Sequence, residues 1–141
     1  MTRTCRDSFL HYINDNIAAG VVVHPLRRDP TNRAADALQM NAVNVSFLNL
    51  TAGNGTTLCT QQCVIAVVAD DENAAVDMVG SVLELLRAAY FCPMLDYTVP
   101  TAPVQIGTNI TWDRKRVTFK RVQSEGYCHY SCLLSLRFYS Q

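Results

Sequence analysis

The spacing of hydrophobic positions predicts an amphipathic helix at the N-terminus. Apolar residues recur four positions apart, at Cys5, Phe9, Ile13 and Ile17. This spacing places them on one helical face, with Leu10 beside them. Thr2 or Thr4 is predicted to cap the start of the helix, and Gly20 to end it in a left-handed conformation. The next apolar run predicts a short strand over residues 21–24, ended by Pro25.

Alternation of apolar and polar residues predicts a long β-hairpin further along. In "NAVNVSFLNL" (residues 41–50), Val43, Val45 and Phe47 share one face. "TAGNG" (residues 51–55) is a turn by composition. "TTLCTQQCVIAVVA" (residues 56–69) returns as a strand, and its last six residues are apolar on both faces. That end of the strand is therefore predicted to lie in the middle of a sheet.

A second helix is predicted after the acidic run "DDEN". Asp70 or Asp71 is suited to cap it, and the acids stabilise the positive end of the helix dipole. Its predicted core stripe is Val76, Val79, Val82, Leu83, Leu86 and Tyr90. Prolines then indicate irregular chain, followed by three strand-like segments at residues 104–112, 116–122 and 127–140. A change of apolar phase at residues 113–116 predicts a bulge or turn there.

The predicted elements define an α+β fold. We expect a mostly antiparallel sheet with a long hairpin, packed against two main helices, in one domain spanning residues 1–141. A chain of 141 residues has the usual length of a single domain and can bury a core without disulfides or metal. The polar segment 27–39 is predicted to be a long loop.

Charge is balanced over the whole chain but clustered near its end. Twelve basic and twelve acidic residues give a formal net charge of zero, which argues against a protein that coats nucleic acid. Five of the twelve cations lie within eight positions, at Arg114, Lys115, Arg116, Lys120 and Arg121. This cluster is either a solvated hairpin or a surface that faces a polyanion or an acidic protein.

The six cysteines raise the question of metal binding or disulfides. We find neither a signal peptide nor an apolar segment long enough to span a membrane, so a reducing cytoplasm and free thiols are expected. In "YCHYSCLLSLRFYS" (residues 127–140), Cys128 and Cys132 share the apolar face while His129 lies opposite. Zinc would need the three to converge. The cysteines are therefore interpreted as small core residues, although a cross-strand disulfide such as Cys59–Cys132 stays open.

The sequence offers little other chemistry. Cys92 precedes a proline at a helix end, which is a poor position for a reactive thiolate. The acids at residues 70–72 are explained by capping rather than by a bound cation. Four glycosylation sequons, at Asn44, Asn49, Asn54 and Asn109, are interpreted as strand and turn residues. We therefore predict no catalytic residue, no cofactor and no metal ligand.

The order of elements resembles that of tail terminator proteins of long-tailed bacteriophages. The likeness covers nearly the whole chain. It rests on the helix "CRDSFLHYINDNI", the hairpin "NAVNVSFLNL–TAGNG–TTLCTQQCVIAVVA", the capped helix after "ADDEN" and the final strand "GYCHYSCLLSLRFYSQ".

The resemblance implies a structural protein and not an enzyme. Members of that family form a six-membered ring that caps the tail tube and meets the head connector, so a virion protein assembled in the host cytoplasm is expected. The implied partners are other copies of the chain, the tail tube protein, a head connector or completion protein and, non-specifically, passing DNA. No membrane partner is implied. The loop residues Arg27, Arg28, Arg33 and Asn54 are expected at contacts with a neighbour or the tube, and the basic cluster at the ring lumen or an acidic rim.

Three alternatives stay open from sequence. The first is another viral neck or head–tail joining protein. The second is a secreted, disulfide-bonded binding module, favoured by the cysteines and sequons. The third is a small thiol or metal enzyme.

Overall fold

The structure, a computed structural model, describes residues 2–26, 38–52 and 57–139. It confirms an α+β fold in which two helices accompany a mostly antiparallel sheet. The helices are α1 (Thr2–Asn16) and α2 (Glu72–Ala88). The strands are β1 (Val23–Pro25), β2 (Ala42–Ala52), β3 (Leu58–Ala69), β4 (Phe91–Cys92), β5 (Leu95–Asp96), β6 (Val104–Gln105), β7 (Ile110–Thr111), β8 (Lys120–Val122) and β9 (Cys128–Tyr139).

The main sheet has the order β1-β2-β3-β9-β7-β4, and β8 also pairs with β9. The predicted hairpin forms between β2 and β3, from Ala42 opposite Val68 to Ala52 opposite Cys59. Strand β9 pairs with β3 along its whole length, from Cys128 opposite Ala69 to Tyr139 opposite Leu58. Strand β3 is thus central, as its apolar run predicts. Strands β5 and β6 form a separate two-stranded sheet.

The main core lies between one face of the sheet and the two helices. Cys5, Phe9 and Ile13 of α1 are fully buried against sheet residues such as Val45 and Ile65. Helix α2 contributes three buried residues, Ala75, Val82 and Leu86. We call the sheet face that meets the helices the inner face and the opposite one the outer face.

Helix α2 begins and ends with side-chain contacts. The Asp71 carboxylate accepts a hydrogen bond from the Ala74 N–H at 3.2 Å, which confirms the predicted cap. At the other end, the indole N–H of Trp112 donates to the Leu86 carbonyl at 2.8 Å. That carbonyl belongs to the last turn, where carbonyls lack helical partners. The guanidinium of Arg87 in turn donates to the Val117 carbonyl at 2.8 Å.

Several local predictions were wrong. Thr4 lies inside α1 rather than at its cap, and Gly20, although its φ is +87°, follows the last helical residue by four positions. The first strand is shifted to Val23–Pro25, where edge pairing in parallel with β2 tolerates proline. Val76 and Tyr90 do not join the core stripe, since they are 50% and 52% exposed. A period of 3.6 residues turns Val76 away from the sheet, and Tyr90 lies beyond the end of α2 at Ala88.

The change of apolar phase after Trp112 has the predicted cause. Asp113 caps a single 3₁₀ turn, Arg114–Arg116, by accepting from the Lys115 N–H at 3.0 Å. The turn allows both Trp112 and Val117 to be buried. The far end of the hairpin behaves differently, because residues 49–52 of β2 are exposed. These residues pair with the buried Gln61 and Cys59 of β3, so they form an exposed edge of the sheet beside the core.

Candidate functional site

The outer face of the sheet is covered by neither helix, since both pack on the inner face. Its β2 and β3 part is nevertheless buried at Asn44, Ser46, Ala66 and Val68, whereas its β9 part is open. Side chains alternate along β9, so the residues next to the buried Cys132, Leu134, Leu136 and Phe138 point outward. The outward set includes Leu133, which is 60% exposed, and Arg137. We take this β9 part of the outer face as the candidate surface.

Two grooves meet at Leu133. One, of about 790 Å³, lies between β9 and the 3₁₀ turn and is lined by Gln62, Ser135, Arg116 and Arg137 among others. The second, of about 590 Å³, runs beside β8 and is lined by Lys120, Ser131 and Leu133. Leu133 lines both. The outer face thus combines an apolar centre with cationic edges.

The cross-strand register explains this composition. Leu133 is opposite Val64 of β3, and Ser135 is opposite Gln62, whose amide donates to its hydroxyl at 3.3 Å. Lys120 of β8 is opposite Ser131. The outward residues of β3 and β9 include no carboxylate. The acid nearest these grooves is Asp113, which pairs with Arg116 at 3.6 Å.

In the structure, the five residues of the predicted basic cluster lie in different environments. Lys120 and Arg116 line the outer grooves. The Arg114 guanidinium lies over the ring of Tyr90, 5.6 Å from its centroid, and Lys115 is exposed on the same 3₁₀ turn. Arg121, next to Lys120 on β8, also lines the second groove, but its guanidinium turns to the inner side and reaches Glu72 of α2. The five cations therefore do not form one continuous patch.

The positive charge of Arg121 is neutralised by the Glu72 carboxylate on α2. Its guanidinium donates to the Glu72 carboxylate at 2.8 Å and lies over the ring of Tyr130. The Tyr130 hydroxyl also donates to Glu72. Hydrogen bonds from Cys128 and Tyr130, together with the charge of Arg121, hold the pKa of Glu72 below its usual range. Arg121 therefore serves to join β8 to α2.

The cysteines occupy the core, as their strand positions predict. Cys5, Cys59, Cys63, Cys92 and Cys132 are buried, Cys128 is half-buried, and all six are free thiols. Burial raises the pKa of Cys5 and of Cys92 to about 12. The pKa of Cys63 is also raised, first by burial and then by the nearby Cys132 and Cys5. Thiols held protonated in this way pack as small apolar groups.

Of the predicted loop contacts, Arg27, Arg28, Arg33 and Asn54 lie outside the described residues. Within the described ranges, no three His, Cys, Asp or Glu side chains are grouped so as to hold a metal ion. No described helix has the length and hydropathy needed to cross a membrane.

The sequon at Asn44 has a structural role. Its side chain is fully buried on the outer face, where its amide donates to the carbonyls of Gln39, Ala42 and Ala66 at 3.0–3.3 Å. Its own oxygen accepts from the Gln39 N–H at 2.8 Å. Asn44 thus fastens the segment before β2 onto the sheet.

Sequence reasoning did not include Arg137 and Leu133 in the candidate surface. Both are outward positions of the predicted alternating strand β9, so the alternation was the available signal. The alternation alone was not sufficient, because Arg116 and Lys120, which lie around Arg137 and Leu133, come from separate parts of the chain.

No protein-family model matches this chain, and no curated protein matches it significantly.

Proposed function

We propose that this chain is a structural protein of a long-tailed bacteriophage that forms a ring on the end of the tail tube and joins it to the head connector. The proposal depends on the order of elements and on one observation, the open β9 part of the outer sheet face, where exposed Leu133 lies among cationic side chains.

The hairpin supports the same proposal. The β2 strand continues through residues 49–52, where every residue is exposed. Leu50 is 41% exposed there. An exposed sheet edge of this kind is available for contact with a neighbouring subunit or with the tube beneath. Two different contact regions on one subunit are what a closed heterologous ring requires.

The thiol chemistry also fits a protein that acts through its surfaces. The buried thiols with a raised pKa are poor nucleophiles at neutral pH. Free cysteines give no support to the secreted alternative, which needs a disulfide framework. In the proposed ring, Arg116, Lys120 and Arg137 face other proteins, while Arg114 and Lys115 are the exposed cations for sequence-independent contact with passing DNA.

Mixing the purified chain with isolated tail tubes tests the function. We expect rings at one end of each tube in electron micrographs, and tubes bearing rings to join heads more efficiently than bare tubes. Binding to heads but not to tubes would favour another neck protein. Binding to neither would contradict the proposal.

A further inference from the structure

We propose that neighbouring copies of this chain join head to tail, with the outward side of helix α2 of one copy seated on the outer sheet face of the next. This inference names the partner of the candidate surface and rests on the proposed ring function. It follows from how charge is distributed over the described residues.

The outward side of α2 is acidic. Asp77 and Glu84 are exposed and seven residues apart, which places them on one line along the helix. The carboxylate of Asp71 is not on this line, since it caps the helix by accepting from the Ala74 N–H. The only cation of this helix, Arg87, lies in its last turn and is bonded to the Val117 carbonyl. We call Asp77 and Glu84 the acidic helix face.

The outer sheet face has the opposite charge. Arg116, Lys120 and Arg137 surround Leu133, and Asp113 is the single carboxylate lining these grooves. We call these three cations and Leu133 the basic sheet face. The acidic helix face and the basic sheet face thus carry opposite charge, while other acids and bases of the chain are paired, as Arg121 is with Glu72. Opposite potentials of this kind steer and orient association.

The two faces point in opposite directions. The buried side of α2 packs on the inner face of the sheet, so its acidic side points away from the sheet. The basic sheet face lies on the other side of the same layer. Two complementary faces on opposite sides cannot meet within one chain, but they can meet between copies, and the contact is then heterologous.

The apolar groups of the two faces also match. Val76, 50% exposed on α2, provides an apolar counterpart for Leu133. Gly80 lies between Asp77 and Glu84, and a Cβ there would meet nothing within 4 Å in its own chain. Its missing side chain allows close approach of a neighbour.

Charge reversal on each face tests the contact. The helix variant carries Asp77→Lys with Glu84→Lys, and the sheet variant carries Lys120→Glu with Arg137→Glu. All four residues are exposed, so we expect both variants to fold. As a control, Asp15→Lys with Glu125→Lys makes the same change in net charge as the helix variant, at exposed positions outside both faces.

Native mass spectrometry and sedimentation velocity at low salt are the measurements. We expect oligomers for the wild type and the control, and monomers for either double variant alone. An equimolar mixture of the two variants should regain oligomers containing both in equal number, because each reversed face then meets an oppositely charged one. A contact between two identical faces would not give this rescue.

The outcomes separate the inference from the proposed function. Rings that persist in both double variants, or folded variants that stay monomeric when mixed, would overturn the head-to-tail contact while leaving the ring function intact. Wild-type oligomers that show the rescue but do not bind tail tubes would overturn the function and leave the contact. A wild type that is monomeric at every concentration would overturn the contact.

Discussion

Arg121 and Glu72 join the edge strand β8 to the first turn of α2 through an ion pair of 2.8 Å. Tyr130 of β9 completes the group by donating its hydroxyl to the same carboxylate. Both charged side chains are partly exposed, with accessible fractions of 59% and 44%. A surface pair of this kind contributes little by itself, so its measurable effect is on the pH dependence of folding.

We expect Glu72→Gln to make the free energy of unfolding less dependent on pH in the acid range. The pKa of Glu72 is lowered by hydrogen bonds from Cys128 and Tyr130 and by Arg121. A lowered folded-state pKa stabilises the protein above the unfolded value, and this contribution disappears as pH falls through the folded value. We expect the wild type to lose stability between roughly pH 5 and pH 3 more steeply than the variant.

Urea unfolding at several pH values measures this difference. Glu125→Gln, at an exposed glutamate outside both proposed contact faces, is the control and should follow the wild type. Equal slopes for wild type and Glu72→Gln would show that this carboxylate is not stabilised by folding.

Gly80→Ala should stabilise the isolated chain. Gly80 is an exposed residue in the interior of α2, and a Cβ there has open space around it. Alanine avoids the backbone entropy cost of glycine in a helix, so a gain of about 0.5–1 kcal/mol is expected.

Gly126→Ala is the contrasting variant. Its φ is +80°, a conformation that costs an L-residue about 1–2 kcal/mol, so chemical denaturation should show a loss of stability. A loss for Gly80→Ala as well would show that the α2 interior is not helical at that point.

Replacement of Cys63 tests the packing role of the thiols. Cys63 is fully buried between the strands and the helices. Cys63→Ser puts a hydroxyl into an apolar site and should cost about 1–3 kcal/mol, more than Cys63→Ala. Cys128→Ser, at a half-buried position, should cost less.

Thiol titration complements these stability measurements. In the folded protein the buried thiols should react slowly with a disulfide reagent, and all six should react after denaturation. Fewer than six reactive thiols in denaturant without reductant would contradict the free-thiol structure.

Trp112→Phe should weaken the end of α2. The indole N–H donates to the Leu86 carbonyl at 2.8 Å, and Trp112 is 4% exposed. Phenylalanine preserves the ring contact but leaves that carbonyl without its donor, at a cost of about 1–3 kcal/mol. Denaturation followed by circular dichroism measures the loss. Unchanged stability would show that the Leu86 carbonyl does not depend on Trp112.

The periodicity of the sequence predicts most of the elements. The hairpin, the α2 cap at Asp71 and the turn after Trp112 are confirmed because each depends on local chemistry. Tyr90 was misplaced because α2 ends at Ala88. Val76 was misplaced because its spacing fits a wide stripe, whereas the helix buries only the side that contacts the sheet. Local pattern does not give that orientation.

The candidate surface was predictable only in part. Arg116 and Lys120 were recognised from their cluster, but Arg137 and Leu133 join them through pairing of β8 and β9. Arg121 was grouped with the others because it is adjacent in sequence, and its pairing with Glu72 across 49 positions removes it. Long-range strand pairing therefore determines which charges share a face.

Native mass spectrometry of the purified chain, with and without isolated tail tubes, decides whether it acts by assembly. We predict a discrete closed oligomer, six-membered by the resemblance, that binds the tube end. A strict monomer that also leaves tail tubes bare would contradict the proposed role.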